Sequence, residues 1–76
     1  KMQEIIEEIL NYAKTPCTFE VLLQHMFIHY GLHMNFTQYV LIGSTLKAYL
    51  SYLYEQEKLE AIFENSQLLW KTKKEG

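Results

Sequence analysis

From Asn35 to Lys58 the chain reads NFTQYVLIGSTLKAYLSYLYEQEK, with Tyr39, Ile42, Leu46, Leu50 and Leu53 at intervals of three and four and Tyr49 alongside. That spacing is one face of a helix. Directly after it the pattern changes to alternation over Leu59 to Thr72, broken only at Asn65-Ser66, which is the signature of a hairpin. A long helix that enters a hairpin with almost no linker, preceded by two shorter helices, is the layout of a winged helix. The expected fold class is therefore mainly α with a small β-hairpin, a winged helix of three helices plus a wing, filling residues 1–76 as a single domain.

The two shorter helices are legible upstream. Met2 to Lys14 carries Ile5, Ile6, Ile9, Leu10 and Ala13 on one face and Glu4, Glu7 and Glu8 on the other, an amphipathic helix with its acids towards the positive end of the dipole. Pro16 ends it, since it donates no backbone hydrogen bond and restricts Thr15. Thr18 is placed to cap a second helix bearing Phe19, Leu22, Leu23, Met26, Phe27 and Tyr30, and Gly31 stands where a left-handed residue would stop it. Leu32 to Met34 is then a connector whose apolar side chains are expected to tuck inward, and Asn35 or Thr37 caps the long helix. Gly43 inside that helix costs about 1 kcal/mol against Ala, so it marks either a close approach by the second helix or a kink, with close packing the better supported of the two.

In the hairpin, a two-residue turn at Asn65-Ser66 pairs Phe63 with Leu68, Ala61 with Trp70 and Leu59 with Thr72 on a face apolar enough to cover the helices. The opposite face receives Glu64 with Gln67, Ile62 with Leu69 and Glu60 with Lys71. A cross-strand ion pair is expected at Glu60 and Lys71, and Ile62 with Leu69 would make a small exposed apolar pair.

Composition bounds the function. Hydrophobic residues make up 49% of the 76 residues, enough for one core without disulfides or metals. The single Cys17 forms no internal disulfide, which fits a reducing compartment and makes the cytoplasm the default. No apolar run approaches the roughly 20 residues that span a bilayer, and no secretory signal opens the chain. The start at Lys1-Met2 and the polar KTKKEG end suggest a domain of a longer protein. Net charge is −2, all seven basic residues are Lys, and there is no Arg. Without guanidinium forks, specific base reading and phosphate clamping are disfavoured.

Candidate chemistry is sparse. His25, His29 and His33 recur at intervals of four, and two imidazoles at that spacing on a helix can share a metal. Gly31 separates His33 from the helix and no carboxylate stands nearby in sequence, so His25 and His29 remain weak metal candidates, and solvent-facing or interface histidines are the expectation. Cys17 lacks a partnering base in sequence and reads as a small buried residue. With no phosphate loop, HExxH, GxSxG or Ser/His/Asp arrangement, no catalytic residue and no cofactor are assigned to this segment. For DNA, the long helix would offer Ser44, Thr45, Lys47, Ser51 and Tyr54, with Lys71, Lys73 and Lys74 on the wing and tail touching phosphates. Only Lys47 is basic along the helix, and Glu55, Glu57, Glu60 and Glu64 would repel phosphates.

The stretch STLKAYLSYLYEQEKLEAIFENSQLLWK resembles the carboxy-terminal winged-helix domain of metallo-β-lactamase-fold hydrolases, in which a helix with a leucine-rich last turn runs into a strand, a polar turn and a final strand bearing Trp. The first helix followed by TPCTFEVLLQHMF is similar to that family's opening helices, with Thr18 as the cap. The resemblance spans nearly the whole chain. It departs at Glu57, where the family often has Gly. The HxHxDH metal motif has no counterpart, so no catalytic residue carries over; the helices, the hairpin and Trp70 are what match. The resemblance implies an accessory domain beside a catalytic domain that binds two divalent metal ions such as zinc, packed on that domain or on another subunit.

The leading expectation is a non-catalytic accessory domain of a cytoplasmic metal-dependent hydrolase, meeting a protein partner through Tyr12, Tyr30, Tyr52, Tyr54, Ile62 and Leu69, which lie off the expected core faces. The rival is a free-standing winged-helix (helix-turn-helix) transcriptional regulator. No membrane contact is expected.

Overall fold

A computed structural model describes residues 2–73. Three helices, α1 (Met2–Tyr12), α2 (Phe19–His29) and α3 (Phe36–Glu55), precede a hairpin of β1 (Leu59–Glu64) and β2 (Gln67–Thr72). This is a mainly helical, winged-helix-like arrangement. The strands pair antiparallel in the expected register, from Leu59 opposite Thr72 to Glu64 opposite Gln67.

Local chemistry sets the element ends. Thr18 accepts from the Val21 amide at 3.3 Å, and Asn35, rather than Thr37, caps α3 by accepting from the Gln38 amide at 2.9 Å. At the end of α2, Gly31 adopts φ 63°, while Leu32 N–H reaches Phe27 O at 2.9 Å and Gly31 N–H reaches Ile28 O at 3.2 Å. That pair of bonds satisfies the last carbonyls of the helix. The end of α3 repeats the device without a glycine: Glu57 takes φ 61°, with Lys58 N–H on Leu53 O at 2.9 Å and Glu57 N–H on Tyr54 O at 3.1 Å. The hairpin turn likewise holds Asn65 at φ 52° and Ser66 at φ 61°, the positive pair that matches strand twist.

The core gathers one side of each helix: Ile9 from α1, Leu22, Leu23, Met26 and Phe27 from α2, and Leu46, Leu50 and Leu53 from α3. Ala13, Cys17 and Leu59 complete it, and no polar side chain is buried among the described residues. α3 is unbroken through Gly43, which is buried against α2: a Cβ there would stand 3.7 Å from Phe19 and 3.8 Å from Leu23. The glycine sits at the packed contact with α2 rather than at a break in α3, although a methyl would still fit there at ordinary contact distance.

The hairpin is fastened to the helices by main chain as well as by side chains. Cys17 forms an isolated antiparallel bridge with Trp70, Thr72 N–H reaches Ala13 O at 2.9 Å, and the Thr72 hydroxyl donates to Leu10 O. The fastening is at the open end of the hairpin, and this corrects several expectations about its faces. Leu59 is 1% exposed, yet Phe63, four pairs further out on the same face, is 80% exposed, because the tip projects beyond the helices that its face covers at the base. Ile62 and Leu69 are half-buried rather than exposed. Glu60 and Lys71 stand opposite, but no ion pair closes between them; Lys73 and Glu57 approach to 4.0 Å instead. Leu32 and Met34 are exposed and do not tuck inward, since the α2 cap turns the chain outward before α3 begins.

Two substitutions test this backbone reading. Gly43→Ala places its methyl at ordinary contact distance and gains helix propensity, so it should stabilise by about 0.5–1 kcal/mol, whereas Gly43→Leu overpacks the contact with α2 and should cost about 1–3 kcal/mol. Glu57→Gly relieves the left-handed residue at the end of α3 and should stabilise by about 0.5–1 kcal/mol, the exposed pair with Lys73 offsetting little of that. Urea unfolding midpoints read both, and a lower midpoint for Glu57→Gly would contradict the second.

Candidate functional site

Two features stand out on the described surface: the outward side of α3 and a polar cluster between α1 and α2. α3 is 20 residues long and its only charged residues are Lys47 and Glu55. Phe36 is 82% and Leu41 57% exposed, and Val40 and Tyr52 are also exposed. Leu41, Thr45 and Tyr52, at intervals of four and seven, lie on one side of the helix. That side continues into an apolar groove of about 350 Å³, walled by Ile5 of α1, Met26 and Tyr30 at the end of α2, Leu32, and Ile42, Thr45 and Tyr49 of α3.

The six aromatic and aliphatic interface candidates are distributed around the molecule. Tyr30 is at the groove, Tyr52 is exposed on α3, and Tyr54 is exposed with its ring edge-on to Trp70 at 6.2 Å. Tyr12 is half-buried against the core rather than off it, because the α1 face is wider than its aliphatic stripe suggests. Tyr12 and Leu69 line one depression together with Pro16, Val21 and His25, while Ile62 faces Leu69 across the hairpin.

The residues of the DNA alternative are mostly exposed, and several have partners within the domain. Ser44, Thr45, Lys47 and Ser51 are exposed on α3, but the Thr45 hydroxyl donates to Leu41 O at 3.0 Å and the Lys47 ammonium lies 5.2 Å from the centre of the Phe19 ring. Lys71 is half-buried, Lys73 is engaged with Glu57, and Lys74 lies outside the described residues.

The polar cluster was not visible in the linear sequence. Glu8, assigned there to the solvent face of α1, is half-buried against α2. Its Oε2 lies 2.6 Å from His25 Nε2 and 3.6 Å from His29 Nδ1. The His25 ring is stacked on Tyr12, centroids 3.9 Å apart and 15° from parallel, and the two histidine rings are 5.7 Å apart. His33 follows Gly31 in the connector and is exposed. A usable signal was present: Glu8 precedes Tyr12 by one turn, so the two share a side of α1, and His25 and His29 share a side of α2 in the same way. The tertiary pairing that joins the two sides was not readable.

Two further hydroxyl and thiol groups complete the inventory. The Tyr39 hydroxyl donates to Glu20, and that bond, followed by desolvation, raises the Tyr39 pKa. Cys17 is 7% exposed, its thiol lies 3.9 Å from Trp70 O, and burial pushes its pKa up. This is the reverse of a nucleophile's environment.

Compared with protein-family models, with curated proteins and with solved structures, the chain finds no match. No helix among the described residues is long and apolar enough to cross a membrane.

The thiol gives a direct check. Native Cys17 should alkylate with iodoacetamide at least tenfold more slowly than the urea-unfolded chain, with the native rate rising only at more alkaline pH, because the folded state favours the protonated form. Equal rates in the two states would mean that Cys17 is accessible.

Proposed function

We propose that this chain is a non-catalytic accessory winged-helix domain that docks on a protein surface through the outward side of α3 and the groove beside it. The carrying observation is the make-up of that side. A helix that would enter a DNA groove in the rival reading exposes Leu41 and Tyr52 on the side towards the apolar groove, Phe36 and Val40 on its other flank, and a single Lys. Interface centres are depleted of charge and enriched in aromatic residues, whereas nucleic-acid affinity rests on neutralising phosphates with Lys and Arg. With net charge −2 and no Arg, the electrostatic footprint of a DNA-binding protein is missing.

The partner we propose is the catalytic domain of a metal-dependent hydrolase of the metallo-β-lactamase fold, on the same chain or on another subunit. Support for this comes from the resemblance of the STLKAYLSYLYEQEKLEAIFENSQLLWK stretch alone. The accessory domain then shapes a substrate entrance or a subunit contact, and any divalent metals of the reaction belong to the partner. The unpaired thiol of Cys17 fits a reducing compartment such as the cytoplasm.

Two measurements test the reading. Fluorescence anisotropy against mixed duplexes at low salt should show no saturable binding at about 20 µM domain, a concentration within the range of ordinary non-specific affinities; binding that weakens steeply with added salt would favour the regulator. The reading frame around this segment should contain an HxHxDH motif. In that case Leu41→Glu with Tyr52→Glu should weaken association of this domain with the catalytic domain by at least tenfold while leaving its circular dichroism unchanged.

A further inference from the structure

We propose that Glu8, His25 and His29 form a binding site for one zinc-type divalent cation, which would tie α1 to α2. The inference is independent of the docking surface and rests on the donor set, the spacing and the surroundings.

Two imidazoles and a carboxylate are a recurrent three-residue set for zinc, with the fourth position left to water. Their ligand atoms here lie within 4.8 Å of one another. Around a tetrahedral ion with bonds of about 2.0–2.2 Å, ligand atoms stand roughly 3.3 Å apart. The Glu8 to His29 distance of 3.6 Å is already close to that value, and the Glu8 to His25 distance of 2.6 Å has to open by less than an ångström. The ion would take the place of the proton that His25 Nε2 and Glu8 Oε2 share, so the hydrogen bond serves as the unloaded form of the site.

The rings are held in advance of binding. His25 is clamped by its stack on Tyr12, and His29 meets the Tyr30 ring edge-on at 4.7 Å. Both histidines sit one turn apart on a single rigid helix, which limits the entropy that binding must overcome. Access is open: the cluster borders a depression lined by Glu4, Glu7, Glu8, Asn11, His29 and Tyr30, whose carboxylates attract a cation and leave room for its water. Nitrogen donors favour zinc, cobalt, nickel and copper over magnesium and calcium, which take oxygen.

Isothermal titration of the chain with zinc chloride at neutral pH tests the site, with thermal unfolding as a second reading. The expected result is one ion per chain and a Tm higher by roughly 5 °C or more at saturating zinc, with no response to magnesium. His29→Gln, at a half-exposed position that does not hold the core, and Glu8→Gln should each weaken zinc binding by roughly tenfold or more. His33→Gln and Cys17→Ser should leave it unchanged. If Glu8→Gln does not fold, His29→Gln decides. The site is overturned by the absence of saturable binding, by wild-type affinity in folded His29→Gln, or by a stoichiometry of one ion per two chains.

Discussion

Two main-chain hydrogen bonds between Cys17 and Trp70, 3.1 and 2.7 Å long, hold the connector between α1 and α2 against β2. A two-stranded hairpin is marginal by itself, and each such bond contributes only about 0.5–1.5 kcal/mol net. Their effect is larger than that figure suggests, because they fix where everything else must sit. α1 ends at Tyr12, Pro16 follows its closing turn and has no N–H to donate, Cys17 is extended, and Thr18 caps α2. The single extended residue acts as a third strand, with Leu59 in the buried core and Trp70 packed against it. Thr72 extends the same seam to Leu10 and Ala13.

With the hairpin fixed from one side, α3 is left to serve two purposes. Its inward residues Leu46, Leu50 and Leu53 fill the centre, and Gly43 is buried against Phe19 and Leu23 of α2. Its outward residues are free of packing duties, so their character reports on what the surface meets. On the proposed reading, this nearly uncharged side meets a protein rather than phosphates, and the neighbouring groove extends it. The polar cluster of Glu8, His25 and His29 lies between α1 and α2, and Tyr30, whose ring meets His29 edge-on, also walls the groove.

The local parts of this fold were legible because they depend on a few adjacent residues. Thr18, Asn35 and Gly31 occupy the expected cap positions, and Asn65-Ser66 fixed the hairpin register since a two-residue turn leaves no alternative pairing. What escaped was decided by contacts far apart in the chain. Phe63 belongs to the apolar face by alternation, yet exposure depends on how far the helices reach, which no alternation encodes. Glu8 looked like its neighbours Glu4 and Glu7 and differs only because α2 crosses α1 at that turn. Glu57 departs from the usual glycine at a helix stop, and the chain still makes the turn, since Leu53 and Leu59 are both anchored in the core on either side of it. The isolated bridge at Cys17 carries no pattern of its own.

The Cys17 to Trp70 bridge also sets an order of events during synthesis. Its two partners are separated by most of the chain, and chains emerge from the ribosome amino terminus first at about 5–20 residues per second. All three helices can form and collapse while Trp70 is still inside the exit tunnel. Until it emerges, neither main-chain bond of the bridge can close and the Cys17 thiol lacks its contact with Trp70 O. The last strand to appear is therefore the one that closes the seam over Cys17.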